Sequence, residues 1–155
     1  MSQSPSGVIP PLAGHGHLAL DEVELAEWGE RFGRATSPPL VVGLTGELGA
    51  GKTTLARAIC HGFGVTEDVT STTFTLVHRY SSPRAPVYHV DLYRLRGPQD
   101  LTNIGWDEMF AEDALVLIEW PERAGDRLPS SHVSVSLQHL PDEPSKRLLY
   151  AGGHA

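Results

Sequence analysis

The sequence predicts an α/β fold, and three observations carry that reading. The apolar run at residues 40–44 leads into Gly46-Glu47-Leu48-Gly49-Ala50-Gly51-Lys52-Thr53, and a helical pattern follows it. Leu115-Val116-Leu117-Ile118 is continuously apolar, which suits a strand buried on both faces. Segments 75–80 with 86–93, and 133–137 with 146–150, show strand-like patterning around turn residues and predict two antiparallel hairpins.

Taken in order, residues 1–16 are rich in Ser, Pro and Gly and are expected to form a mobile tail. A single domain is expected over 17–151, opening on a short edge strand at 17–20. Asp21, with Glu24 three residues on, predicts a capping box. Leu25, Trp28, Phe32 and Ala35 then recur at helical spacing, opposite a largely acidic face. Thr36-Ser37-Pro38-Pro39 breaks that helix ahead of the strand at 40–44. The helix after the glycine loop should run from 52 to about 61, pack through Leu55, Ala58 and Ile59, and stop at Gly62 and Gly64. Short helical pieces are expected within 97–110. The tail after Ala151 reads as too small and polar to add structure.

At 155 residues, with 40% hydrophobic and 20% charged side chains, the composition is that of one globular domain. The net charge of −7 argues against strong stand-alone nucleic-acid binding, which needs a broad basic face. Arg94, Arg96, Arg123 and Arg127 leave room for a local basic patch. Cys60 has no partner for an internal disulfide and reads as a small buried side chain in a reducing compartment, the cytoplasm. No 18-residue apolar run and no signal-peptide pattern occur, so neither a membrane span nor export is expected.

The glycine loop carries the chemistry. G-x-x-x-x-G-K-T between a strand and a helix is the arrangement that cradles phosphates. Gly46, Gly49 and Gly51 let the backbone curl around an anion. The exposed amides and the first turn of the helix direct partial positive charge at it. Lys52 can reach the β- and γ-phosphates, and the Thr53 hydroxyl can bind magnesium. Nucleoside triphosphate binding is therefore expected along residues 46–54, through Gly46, Glu47, Leu48, Gly49, Ala50, Gly51, Lys52, Thr53 and Thr54.

Hydrolysis of ATP requires a further acid near the metal, at the end of a strand beside the loop strand. Glu119, directly after the run 115–118, has that placement; the alternative is a solvent-facing strand-end glutamate. Asp91 shares a strand face with His89 and either positions water or pairs with Arg94. His89 reads as structural, because phosphate release needs little proton transfer. Ser71, Thr72 and Thr73 form either a γ-phosphate-responsive, switch-like segment or an ordinary polar loop. Trp120 is expected near the nucleotide if Glu119 is, although packing explains it equally. Arg94, three residues past Asp91, should point away from the Asp91 face if the strand stays regular.

Four pieces together resemble the TsaE family, also called YjeE. They are Gly46 to Thr54, then Ser71-Thr72-Thr73-Phe74-Thr75-Leu76, then His89-Val90-Asp91-Leu92-Tyr93-Arg94-Leu95, and Leu117-Ile118-Glu119-Trp120-Pro121-Glu122. Order and spacing agree from about residue 18 to 150. Two departures stand out: Thr72 replaces the family's usual proline, and Val23 a frequent threonine. The resemblance implies a P-loop NTPase-like three-layer fold with a mixed, partly antiparallel central sheet. It also implies a small ATPase of tRNA threonylcarbamoyladenosine biosynthesis. Lys52, Asp91 and Glu119 would be its catalytic residues, Thr53 and Glu119 its Mg2+ ligands, ATP its nucleotide, and TsaD- and TsaB-type proteins its partners.

The alternative function is a small-molecule or nucleoside kinase, which needs a lid bearing several arginines; only Arg123 and Arg127 are placed for one. A regulatory GTPase would carry N-K-x-D, which is absent from the sequence. A nucleotide-binding subunit without turnover is the third alternative.

Overall fold

A computed structural model describes residues 17–69 and 76–154. The expected tail and the switch-like Ser71, Thr72 and Thr73 lie outside the described residues. The chain forms β1 (His17–Asp21), α1 (Glu22–Ala35), β2 (Leu40–Gly46), α2 (Lys52–Phe63), β3 (Val77–Tyr80) and β4 (Val87–Asp91). It continues through α3 (Pro98–Asn103), α4 (Trp106–Ala111), β5 (Leu115–Glu119), a 3₁₀ segment (Pro121–Arg127), β6 (His132–His139) and β7 (Lys146–His154).

The strands make one seven-stranded sheet in the order β1-β7-β6-β2-β5-β4-β3. β2 is parallel to both β5 and β6, and β4 is parallel to β5. The β3–β4, β6–β7 and β1–β7 pairs are antiparallel. Both predicted hairpins and the edge strand are thus present in a mixed sheet. All five residues of β5 are buried, as its unbroken apolar run requires. β7 continues to His154, past the point where the sequence reads as too polar for structure. Its backbone pairs with β6 through His132↔His154, and ladder bonds do not depend on side-chain polarity.

Alternation along the strands divides the core in two. Leu44, Val87, Leu115, Leu117 and Val135 pack with α1 and α2 on one face. Val90, Val116 and Ile118 pack with Leu101, Trp106 and Met109 of α3 and α4 on the other. The result is three layers.

α1 begins on the predicted capping box: the Glu24 amide donates to Asp21 Oδ1 at 2.8 Å, and the Asp21 amide to Glu24 Oε1 at 2.9 Å. Leu25, Trp28 and Phe32 are buried, with Trp28 stacked on Phe32. Ala35 is exposed, because the helix ends at the Thr36 cap and the buried stripe has already passed to Gly33. That glycine is required by close approach: a Cβ at 33 would lie 2.2 Å from the Ile59 carbonyl oxygen of α2.

Candidate functional site

The carboxyl ends of β2, β5 and β4 meet the amino end of α2, where parallel α/β sheets place ligands. The loop after β2 turns through Gly51 at φ 104°, a left-handed conformation that glycine adopts without strain. Gly51 is the helix cap, and no side chain of its own bonds the first-turn amides. Those N–H groups are thus left without a side-chain acceptor, the condition under which a helix amino end can take an anion.

Lys52 is buried, and its ammonium folds back onto the loop. It donates to the Gly46 carbonyl at 2.5 Å and to the Glu47 carbonyl at 3.0 Å. It also lies 4.2 Å from the centre of the Trp120 ring. Burial lowers its pKa from the ordinary lysine value, and the carboxylates of Glu119, Asp91 and Glu122 oppose that fall. Trp120 reaches this position through a left-handed backbone, φ 59° and ψ 49°, the one non-glycine with positive φ among the described residues. Such conformations concentrate at functional sites.

Glu119 is only 3% exposed, which removes the reading of a solvent-facing strand-end acid. The Thr53 hydroxyl lies 3.2 and 3.1 Å from its two oxygens, and His89 Nε2 lies 2.7 Å from Oε2. The parallel register pairs Asp91 with Glu119, so both acids leave the sheet side by side. Asp91 Oδ1 accepts the Tyr93 amide at 3.0 Å.

Two clefts flank the loop. One, about 480 Å³, is lined by Lys52, Thr53, Asp91, Tyr93, Arg94, Glu119 and Trp120. The other, about 530 Å³, is lined by Val23, Asp21, Leu25 and, from the β6–β7 turn and the start of β7, Pro144, Ser145 and Arg147. They share Gly49, Gly51 and Thr54. Leu48 is exposed at the loop tip and Ala50 is buried beneath it.

The structure therefore gathers Lys52, Thr53, Asp91, Glu119 and Trp120 at one cleft. It corrects the expectation that Arg94 turns away from Asp91. β4 ends at Asp91, not at Tyr93, and the chain turns there through the Leu95 amide bonded to the Leu92 carbonyl. Strand alternation no longer applies, and Arg94 lines the same cleft. Of the other arginines, Arg96, Arg123 and Arg127 line a neighbouring pocket near α3, interspersed with Asp126. Sequence reasoning missed the second cleft's wall from the β6–β7 turn, and nothing local in residues 144–147 signals it.

Thr53 and Glu119 offer a hydroxyl and a carboxylate in contact, the hard oxygen donors that magnesium prefers. Among the described residues no cluster of three His, Cys, Asp or Glu side chains forms a self-sufficient metal site. Magnesium at a phosphate loop does not need one, since the nucleotide and water supply the remaining oxygens.

A G-x-x-x-x-G-K-T loop at the carboxyl ends of parallel strands, with a buried acid beside its threonine, defines a P-loop NTPase-like fold. Residues 20–148 match the family model described as threonylcarbamoyl adenosine biosynthesis protein TsaE, and the chain belongs to that family. The tRNA threonylcarbamoyladenosine biosynthesis protein TsaE of Haemophilus influenzae is 36% identical over 134 residues, covering 83% of this chain and 85% of that protein. Its Treponema pallidum counterpart is 40% identical over 119 residues, covering 77% and 87%. The crystal structure of Bacillus subtilis YdiB superposes with a TM-score of 0.74 at 27% identity, covering 90% of this chain and 86% of that one.

Proposed function

We propose that the chain binds and hydrolyses Mg-ATP in the cytoplasm and that this turnover serves the proteins, of TsaD and TsaB type, that form threonylcarbamoyladenosine in tRNA. Membership of the TsaE family supports the process. The observation that carries the ATPase reading is the convergence of Lys52, Thr53, Glu119 and Asp91 on one cleft at the loop.

In this reading the triphosphate lies against the amides of 46–54, with its nucleoside end toward the cleft beside Val23. Lys52 exchanges its bonds to the Gly46 and Glu47 carbonyls for phosphate oxygens. Thr53 and Glu119 hold magnesium, which when bound neutralises charge on the β- and γ-phosphates. Asp91 orients the attacking water. Trp120 covers the lysine side of the cleft and limits water around it.

Arg94 is exposed, and no hydrogen bond among the described residues holds it. A cation on the γ-phosphate that is not fixed in place stabilises the transition state weakly. Turnover of the isolated chain at saturating ATP and magnesium is therefore expected to be slow. It should rise on adding the partner proteins, by on the order of a thousandfold if they fix or supply an arginine. Fast turnover alone, unchanged by partners, would show that the site is complete within this chain. No ATP binding would overturn the assignment.

A further inference from the structure

We infer that His89 is a positioning residue, whose ring holds the Glu119 carboxylate in the orientation that lets magnesium bind beside Thr53; this rests on the Mg-ATP reading above. Parallel register pairs His89 of β4 with Leu117 of β5 and Asp91 with Glu119. Alternation then sets His89 one pleat behind Glu119 on the same face of the sheet, beneath the start of α2. His89 is wholly buried, and its Nε2 lies 2.7 Å from Glu119 Oε2.

An ionised carboxylate only accepts hydrogen bonds, so the ring nitrogen facing it carries the hydrogen. The other nitrogen, Nδ1, is buried with no partner among the described residues. A ring held for stability alone gains from having both nitrogens bonded, because an unsatisfied buried polar atom is costly. Here the imidazole is buried and one nitrogen is unsatisfied. Its single bond goes to the acid proposed to hold the metal. Thr53 contacts both oxygens of Glu119 nearly equally, at 3.2 and 3.1 Å, and so does not choose between them. His89 touches Oε2 alone. The asymmetry that turns one particular oxygen toward the cleft thus comes from His89, much as partners of metal-bound groups orient them elsewhere.

The test compares His89→Leu, which removes the donor, with His89→Gln, whose side-chain amide can restore a donor near the Nε2 position. ATP affinity is measured by calorimetry in chelator and across a magnesium titration, alongside thermal unfolding. In His89→Leu we expect affinity in chelator within about threefold of the parent and a magnesium midpoint raised about tenfold, the smaller loss found for such partners. The melting temperature serves to confirm that each variant is folded, and His89→Gln should recover most of the magnesium response. An unaltered magnesium midpoint in His89→Leu would overturn the inference, as would a Gln variant that folds but behaves like the Leu variant. Should His89→Leu fail to fold, a structural role is indicated unless His89→Gln and His89→Asn both fold and differ in midpoint, the shorter Asn being the impaired one. A parent protein whose ATP affinity ignores magnesium overturns the Mg-ATP reading itself, an outcome visible before any variant is made.

Discussion

The two ends of α2 are built to opposite rules. At its carboxyl end the helix is closed by backbone hydrogen bonds and covered by a neighbouring side chain. The Gly64 amide donates to the Cys60 and His61 carbonyls, and the Val65 amide to Cys60 as well. Arg84, from the β3–β4 turn, lies 4.2 Å over the Phe63 ring, while its guanidinium donates to the carbonyls of Gly33, Arg34 and Thr36 at the end of α1. One cation thus bonds the carbonyls at the end of α1 and covers the last side chain of α2. At the amino end the first-turn amides have no side-chain cap, and a buried ammonium is held by two loop carbonyls and an aromatic face. The carboxyl end minimises free energy in the folded chain as it stands. The amino end keeps groups under-satisfied so that a ligand can satisfy them, the trade that functional sites commonly make against stability.

The sharpest way to break this contrast is Lys52→Ala. It deletes the cation that phosphate oxygens would meet, so ATP affinity or turnover should fall by about 10²–10³-fold. The same change removes a charge whose burial is unfavourable, as its lowered pKa records, and leaves only two exchangeable carbonyl bonds behind. Thermal stability should therefore hold or rise. A variant that loses stability and keeps ATP binding would mean that the amino end is structural after all.

Arg84→Ala probes the other end and should show the reverse pattern. Three carbonyls lose a charged donor and Phe63 loses its covering cation. A stability loss of about 2 kcal/mol is expected by denaturant unfolding, with ATP affinity unchanged. Measured binding that falls in step with stability would show that the two ends are coupled through the helix.

Much of the amino end was legible in the sequence because its signal is local. The loop spacing, the threonine after the lysine and an acid closing an apolar strand are all read without knowing which strands are neighbours. The role of His89 was not legible. Its bond to Glu119 exists only because β4 lies parallel to β5 with His89 opposite Leu117, and strand order is a property of the whole sheet. Arg94 was misplaced for a related reason: the alternation rule was applied past Asp91, where the strand has already ended. The carboxyl end was the less readable of the two. Arg84 acts on residues about fifty positions earlier in the chain, and the Gly33–Ile59 approach is visible only once the helices are packed. The αL backbone of Trp120 has no sequence signature, since nothing in Glu119-Trp120-Pro121 demands it.

The smallest effect near neutral pH concerns Cys60, one turn before the closed end and fully buried. Burial raises its pKa from 9.0 to about 12. Well below pH 9 the thiol is neutral in both folded and unfolded chains, and it contributes nothing to pH dependence. Above pH 9 the unfolded chain releases a proton that the folded chain keeps. The folded state then binds more protons, and stability falls as pH rises toward 12. Cys60→Ala should lose less stability than the parent across that window, and the two unfolding curves should run parallel below it. The same burial predicts that a thiol reagent at pH 8 reacts with native protein only as fast as the chain opens, since attack requires an accessible thiolate. Adding denaturant should restore the rate of a free cysteine. A native thiol that reacts at that rate without denaturant would show that the last turn of α2 opens readily, and the distinction between a sealed end and an open one would not hold.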